Sequence, residues 1–374
     1  MMNEKKQVLI VIQLLRRGGI ELVAIRQALA LDKRRFDVTL YLQNPYDEEN
    51  DAELADVLAQ GGVRVISRPE FVSGYVANYK YLCHFLTAHK FDVVHSHVTL
   101  FTGIVLAAAK KCRVPVRIAH AHATKWNHRK TVPFKVYRKV MQQLIDRSAT
   151  HLCACSSQAG VYLYGATAYQ KRGIFVPNGI DTSLYAYDPD VRQRMRDAFG
   201  LVHNEVLIGH IGTIYKIKNQ VFLIDILNGL QKRGIPAKLI LVGEDIEGDV
   251  VRARADELGV TKSVIFAGQR RDVPKILQAM DIMAFPSLHE ALPVALIEAQ
   301  AAQCPCVVSD TVTREVQLNK NVSFVSLQDP VDVWCDTVLA LLDLDRGQVS
   351  TDKLCKVYDL FSVMEQLQKI YTNG

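Results

Sequence analysis

One pattern constrains this 374-residue chain more than any other: a short, nearly unbroken apolar run, then a helical stretch, then another apolar run. The first run is Val8-Leu9-Ile10-Val11-Ile12, inside a strand expected over 7–13. Further strands are expected over 36–42, 63–66, 91–95, 116–120 and 150–155, with helices over 21–30, 79–88, 103–111, 133–148 and 156–164. The alternation then starts again, with strands over 205–211, 237–242, 263–267, 282–284 and 306–309 and a helix over 220–232. A strand that is apolar on both faces has to be covered on both faces, which means a parallel sheet with helices on either side. The expected fold class is therefore α/β, as two doubly wound parallel-sheet halves. In such sheets ligands sit at the carboxyl ends of the strands.

The length suits two domains. Pro177-Asn178-Gly179 is a turn signal, and 185–204 is polar and charged, so the boundary is placed there. This gives a first domain over 1–185, a second over 186–350 and a helical tail over 351–374, helical at 357–371. Hydrophobic residues make up 49% and charged residues 22%, which excludes a mostly disordered chain. The formal charge of +6 (45 Lys and Arg against 39 Asp and Glu) permits an anionic ligand or membrane surface and does not call for nucleic acid.

The segment 1–15 is too short in its apolar part to read as a signal peptide, and Arg16-Arg17-Gly18-Gly19 is no cleavage site. No run approaches the roughly 20 apolar residues of a spanning helix. The expectation is a cytoplasmic protein. Eight cysteines include two Cys-x-Cys pairs, Cys153/Cys155 and Cys304/Cys306, set among apolar neighbours. They are expected to be buried thiols rather than metal ligands, and the sequon at Asn321 a chance match.

The sharpest local signal is Phe285-Pro286-Ser287-Leu288-His289-Glu290-Ala291-Leu292-Pro293-Val294-Ala295-Leu296-Ile297-Glu298. Two carboxylates lie eight residues apart, one in a loop and one in a helix, with Pro293 suited to the helix's first turn. A helix N-terminus offers free N–H groups and a positive dipole end, which suits a phosphate.

This segment resembles the E-x7-E motif of retaining glycosyltransferases of family 4, with the GT-B fold. The resemblance extends to Gly18-Gly19-Ile20-Glu21, Val93-Val94-His95-Ser96-His97, Arg117-Ile118-Ala119-His120-Ala121-His122, Ala154-Cys155-Ser156 and Val176-Pro177-Asn178-Gly179-Ile180-Asp181. It continues through Gly209-His210-Ile211-Gly212, Lys218-Asn219, Leu241-Val242-Gly243 and Phe266-Ala267-Gly268, in order from about 8 to 310. It is closest to enzymes of bacterial capsular or exopolysaccharide synthesis.

The resemblance implies two Rossmann-like domains facing across a cleft, the first on the acceptor side. The second would bind a nucleotide-sugar, and the tail would return to the first. It implies a hexosyltransferase that needs no metal and no cofactor, moving a sugar from a nucleotide-sugar, with UDP favoured, to a lipid-linked saccharide. Glu290 would contact the donor sugar and Glu298 the ribose. Lys218 would hold the diphosphate, Ala291, Leu292 and Pro293 would line it, and Val294 would lie beside the nucleotide. Gly19, Gly212, Thr213 and Gly243 would shape the donor site, with Arg270, Arg271 and Val273 near the base. His120 or His122 would act beside Glu290 and Lys218 in catalysis. Two positions depart from the family pattern: Thr213 stands where Arg is usual, and Ala291 where Gly is common. Lys216 or Arg270 could supply the missing charge.

His-x-His also raises zinc, but no third ligand has a suitable spacing in sequence. The stretch 125–139 is basic (Lys125, Arg129, Lys130, Lys135, Arg138, Lys139) with Trp126, Phe134 and Tyr137 interleaved. That composition suits peripheral contact with an anionic membrane, at the inner face of the cell membrane. An oxidoreductase would want G-x-G-x-x-G and a serine hydrolase G-x-S-x-G, and neither is present. The remaining alternatives are a GT-B sugar-nucleotide epimerase and a non-catalytic sugar-nucleotide-binding partner.

Overall fold

The structure, a computed structural model, describes residues 4–15, 19–122, 131–290 and 292–373, without the side chains of 48–50. The chain divides into two compact units. One runs to Gly179 and is rejoined by the chain from Leu360 onward; the other is Ile180–Asp359.

The first unit holds seven strands: β1 (Lys6–Ile12), β2 (Phe36–Leu42), β3 (Val63–Ser67), β4 (Val93–Ser96), β5 (Val116–Ala121), β6 (His151–Ala154) and β7 (Gly173–Phe175). They form one sheet in the order β3-β2-β1-β4-β5-β6-β7. Every pairing is parallel, with Val8 level with Val38 on one side and with Val93 on the other. The second unit holds β8 (Val206–Ile211), β9 (Ala237–Val242), β10 (Val264–Gly268), β11 (Ile282–Phe285), β12 (Cys306–Ser309) and β13 (Val322–Val325), in the order β10-β9-β8-β11-β12-β13. These pairings are parallel too. Both sheets therefore reverse their strand order once, beside β1 and beside β8. A crevice for a ligand opens at such a reversal, outside the carboxyl ends of the strands.

Each unit has its own core. The first packs Val8, Ile10, Ile12, Val38, Leu40, Val93 and Ile118 against the helix Gly19–Ala30 and against Val363, Met364, Leu367 and Tyr371 of the helix Leu360–Asn373. The second packs Ile208, Leu239, Leu241, Ile282 and Val307 with Leu223, Ile224, Leu227 and Trp334.

Four expectations change. The division falls at 179/180 and 359/360, not at 185/186 and 350/351. Tyr185 packs in the second unit, where its carbonyl accepts from Gln278, and Ile180 bridges to Asp359. The stretch 185–204 holds a helix, Pro189–Ala198, capped by the Asp188 side chain. Its inward face is arginine: Arg192 and Arg196 both grip Asp281, so the segment reads as polar although it is docked. The tail is two helices, Asp352–Tyr358 and Leu360–Asn373, separated at Asp359, whose ψ of 133° is extended. Finally, Pro293 is the extended residue just before the helix Val294–Ala301 and not part of its first turn.

Five of the cysteines are buried and three half-buried, and none of the eight is in a disulfide among the described residues. Burial pushes the Cys153 thiol up to about 12. Asn321 is buried and donates to the Cys304 carbonyl, so the sequon is no surface acceptor.

Candidate active site

The strand reversal in the second unit gathers the residues of the E-x7-E segment with those that follow β8. Lys218 ends a short 3-10 turn, Lys216–Lys218, held by left-handed Asn219. Asn219 Nδ2 donates to the Pro286 carbonyl, and the Leu288 N–H donates to the Ile217 carbonyl. These bonds tie the loop after β8 to the loop after β11. The result brings Lys218 Nζ to 2.5 Å from Glu290 Oε1, with the two side chains 20% and 16% exposed. The ammonium also stands 5.4 Å above the Phe285 ring.

Glycines make room for this site. A Cβ on Gly243 would meet the Gly212 carbonyl oxygen at 2.2 Å, and Gly243 has φ +150°. A Cβ on Gly212 would stand 3.7 Å from Lys218 Nζ and 3.5 Å from His210 Nε2. The N–H of Gly212 donates to the Val242 carbonyl and that of Gly243 to the Gly268 carbonyl. These glycines therefore contribute space, not free donors. Thr213 is half-buried and its carbonyl accepts from the buried Gln220 side chain.

Glu298 lies in the helix Val294–Ala301, is 8% exposed, and accepts from the Tyr185 hydroxyl at 2.8 Å. Leu292 and Pro293 are buried and Val294 is half-buried; Ala291 lies outside the described residues. Arg270 pairs with Asp272 at 2.7 Å and is exposed, as is Arg271; Val273 opens the helix Val273–Ala279. The Asp272 carboxylate holds Arg270, so its charge is already matched, and Lys216 is exposed.

His210, within the segment Gly209-His210-Ile211-Gly212, underlies the site. It is fully buried; its Nδ1 donates to the Ala284 carbonyl at 3.0 Å, and its Nε2 has no partner among the described residues. Burial first, and then nearby Lys218, push its pKa down to about 4 despite the carbonyl bond. A histidine at the carboxyl end of an otherwise apolar strand is the signal that could have flagged it.

In the first unit, Gly19 is exposed at the start of the helix Gly19–Ala30, after β1; Gly18 lies outside the described residues. The candidates His120 and His122 meet His95 and His97. Alternate residues of a strand share a face, and β4 and β5 run parallel with His95 level with Ile118. The rings meet diagonally: His95 Nε2 is 3.0 Å from His120 Nδ1, and His97 Nδ1 is 2.8 Å from His122 Nε2. His120 Nε2 bonds the Val176 carbonyl, which only accepts, so His120 Nδ1 is an acceptor and His95 Nε2 its donor. His95 Nδ1 then accepts from the Tyr371 hydroxyl at 2.7 Å. In the second chain of bonds His122 Nδ1 donates to Asn178 Oδ1, and His97 Nδ1 donates to His122 Nε2.

Burial lowers all four histidines, His95 to about 3 and His122 to about 4. His120 is fully buried with both ring nitrogens engaged, whereas His122 is 7% exposed.

Of the basic stretch, 125–130 lies outside the described residues. The helix Val132–Ser148 that follows leaves Val132, Val136 and Val140 exposed, at 71%, 58% and 44%. Their spacing of four puts them on one stripe, and Lys135 and Lys139 are exposed beside them. Arg138 instead stacks over the Tyr162 ring. Among the described residues no helix is long and apolar enough to cross a membrane.

Comparison with known proteins places these features. Residues 17–184 match the family described as Glycosyltransferase Family 4, and residues 205–344 the family described as Glycosyl transferases group 1. The chain is 31% identical to EpsF of Bacillus subtilis over 348 residues, covering 90% of this chain and 88% of that one. It is 22% identical over 363 residues to the UDP-Gal:alpha-D-GlcNAc-diphosphoundecaprenol alpha-1,3-galactosyltransferase of Escherichia coli, covering 94% and 92%. Among solved structures, HepE of Anabaena, in complex with UDP and glucose, superposes with a TM-score of 0.78 at 21% identity over 98% of this chain and 99% of that one.

Proposed function

The chain belongs to glycosyltransferase family 4 and has the GT-B fold, and from that premise we propose retaining, metal-independent transfer of a hexose from a UDP-sugar to a lipid-linked saccharide. It is a glycosyltransferase of bacterial polysaccharide synthesis. The observation that carries the finer reading is the Lys218–Glu290 pair at the strand reversal of the second sheet, with Glu298 eight residues beyond Glu290.

A departing nucleoside diphosphate gathers negative charge, and preorganised donors aimed at that charge lower the barrier. Lys218 is such a donor. Its partner Glu290 holds the ammonium in place until a diphosphate competes for it, and the freed carboxylate then faces the sugar. Phe285 and buried Leu292 and Pro293 wall the site against water, which strengthens each charge interaction. Glu298 accepts the ribose hydroxyls, with Tyr185 fixing its orientation through one oxygen. The acceptor hydroxyl attacks on the face from which the diphosphate leaves, and a donor phosphate oxygen takes its proton. His122 is the histidine that meets substrate; fully buried His120 orients the cluster behind it.

UDP is favoured because HepE was solved with UDP and the Escherichia coli relative is named for a UDP-Gal donor. The same relative is named for an acceptor on diphosphoundecaprenol, which supports a lipid-linked acceptor here. The exposed valine stripe with Lys135 and Lys139 supports docking on the anionic membrane that holds such an acceptor.

The test is a transfer assay with UDP-hexoses and a polyprenyl-diphosphate saccharide. Product with the donor's anomeric configuration by NMR is expected, and an inverted product overturns the retaining claim. Lys218→Ala and Glu290→Ala should each lower kcat by about 10²–10³-fold, the usual cost of removing a charge-stabilising group. Unchanged transfer in both variants would show that the site is elsewhere.

A further inference from the structure

We propose that His95, His97 and His120 form a buried binding site for a zinc-class divalent cation, lying directly behind His122. The sequence offers the pairs His95/His97 and His120/His122, each two residues apart, with no third ligand at a suitable spacing. Parallel pairing of β4 with β5 supplies it. One ring nitrogen from each of the three lies within 4.8 Å of the others, and all three residues are at most 2% exposed.

An unpartnered atom points to a ligand. His97 Nε2 is buried and has no hydrogen-bond partner among the described residues. The His97 ring lies 4.2 Å from that of His95 and 5.1 Å from that of His120. A buried polar atom without a partner is costly, and native structures usually explain one by an ion or a water.

The remaining ring nitrogens already have the partners that metal-bound histidines show. A ligating histidine donates its other N–H to a carbonyl, a carboxylate or a similar acceptor, which fixes its tautomer. Here His120 Nε2 donates to the Val176 carbonyl, and His97 Nδ1 donates to His122, which is itself anchored on Asn178. His95 Nδ1 faces the Tyr371 hydroxyl.

Without an ion, His95 Nε2–H spans the gap to His120 Nδ1. With one, that proton moves to His95 Nδ1 and the Tyr371 hydroxyl turns from donor to acceptor. The imidazole stays neutral and no proton is lost. His95 Nε2, His120 Nδ1 and His97 Nε2 then present three lone pairs. Zn–N bonds of about 2.0–2.1 Å in tetrahedral geometry place ligand nitrogens roughly 3.3–3.4 Å apart, so the His95–His120 pair opens slightly from 3.0 Å and His97 closes on it by small rotamer adjustments. Imidazole donors select the late first-row ions, zinc, cobalt, nickel and copper, over magnesium or calcium.

The site joins three separate pieces of the first unit: β4, β5 and the returning helix Leu360–Asn373. An ion there would clamp the C-terminal helix to the sheet through Tyr371.

The experiment uses the full chain, stripped with a chelator and then titrated with Co²⁺ as a spectroscopic probe and with Zn²⁺. Expected are visible ligand-field bands of a low-coordinate cobalt site, about one ion retained per chain after gel filtration, and a chelator-reversible rise in Tm. His97→Gln should abolish the bands. Tyr371→Phe, which removes the outer partner of His95, should weaken binding about 10–100-fold. Absence of both bands and Tm shift in the wild type overturns the proposal, even if a variant fails to fold. Bands unchanged in His97→Gln place any ion elsewhere and overturn it as well.

Discussion

His210 shows what one buried residue does to both stability and site. Its imidazole donates to a strand carbonyl and lies beneath Gly212, with Lys218 close by. Its folded pKa of about 4 is below the ordinary 6.5, so the unfolded chain binds the proton first as pH falls. The stabilisation is complete above about pH 6.5 and is lost progressively towards about pH 4, at about 1.4 kcal/mol per pH unit within that window. Thermal unfolding followed from pH 7.5 to 4.5 should show Tm falling below about pH 6.5, with a shallower fall in His210→Gln. An equal slope in the variant would remove His210 as a source. Glu290 and Lys218 differ from His210 in being readable from sequence, because their neighbours form a contiguous motif. His210 is a single histidine in an apolar strand, and its Nε2, without a partner among the described residues and close to Lys218, gives it meaning.

Among the elements, the helix Val132–Ser148 has two exposed features that belong together. Three valines lie along one stripe, and two lysines flank it. A lysine near an anionic bilayer contributes about 1 kcal/mol, roughly fivefold in binding. Lys135→Glu with Lys139→Glu should therefore weaken sedimentation with phosphatidylglycerol vesicles by more than about 25-fold, while neutral phosphatidylcholine vesicles bind weakly throughout. Equal binding of variant and wild type would reject this helix as the membrane face. The basic composition of this helix was legible, but its valine stripe was not, since helical spacing shows which residues align and only packing shows which side of them is free. The helix Pro189–Ala198 was hidden for the converse reason. Its docked face is mainly two arginines on one aspartate, with only Val191 and Met195 half-buried beside them, so hydrophobic periodicity marks it weakly.

The whole molecule is two units, the first built from two separate stretches of the chain and the second from one, each with its own core. A ligand that binds only the folded state stabilises it by mass action, by about 2.7 kcal/mol at a hundredfold excess over Kd. UDP should accordingly raise Tm by about 2–4 °C at that saturation, and GDP at the same concentration should raise it less. A larger shift with GDP would reverse the donor assignment.

Much of this architecture is written locally. Strands such as Phe36–Leu42, Ala237–Val242 and Cys306–Ser309 stand where their apolar runs put them, because burial on both faces leaves β-branched runs no other stable environment. The E-x7-E segment likewise declares itself, since its two carboxylates are fixed by one loop and one helix. Tertiary structure alone decided which distant groups meet. The return of Tyr371 to His95 and the diagonal joining of His95 with His120 and of His97 with His122 depend on strand register and helix docking. The partners in each histidine pair are 25 residues apart in the chain and Tyr371 is 276 from His95, and no local spacing encodes contacts that strand pairing and helix packing bring about.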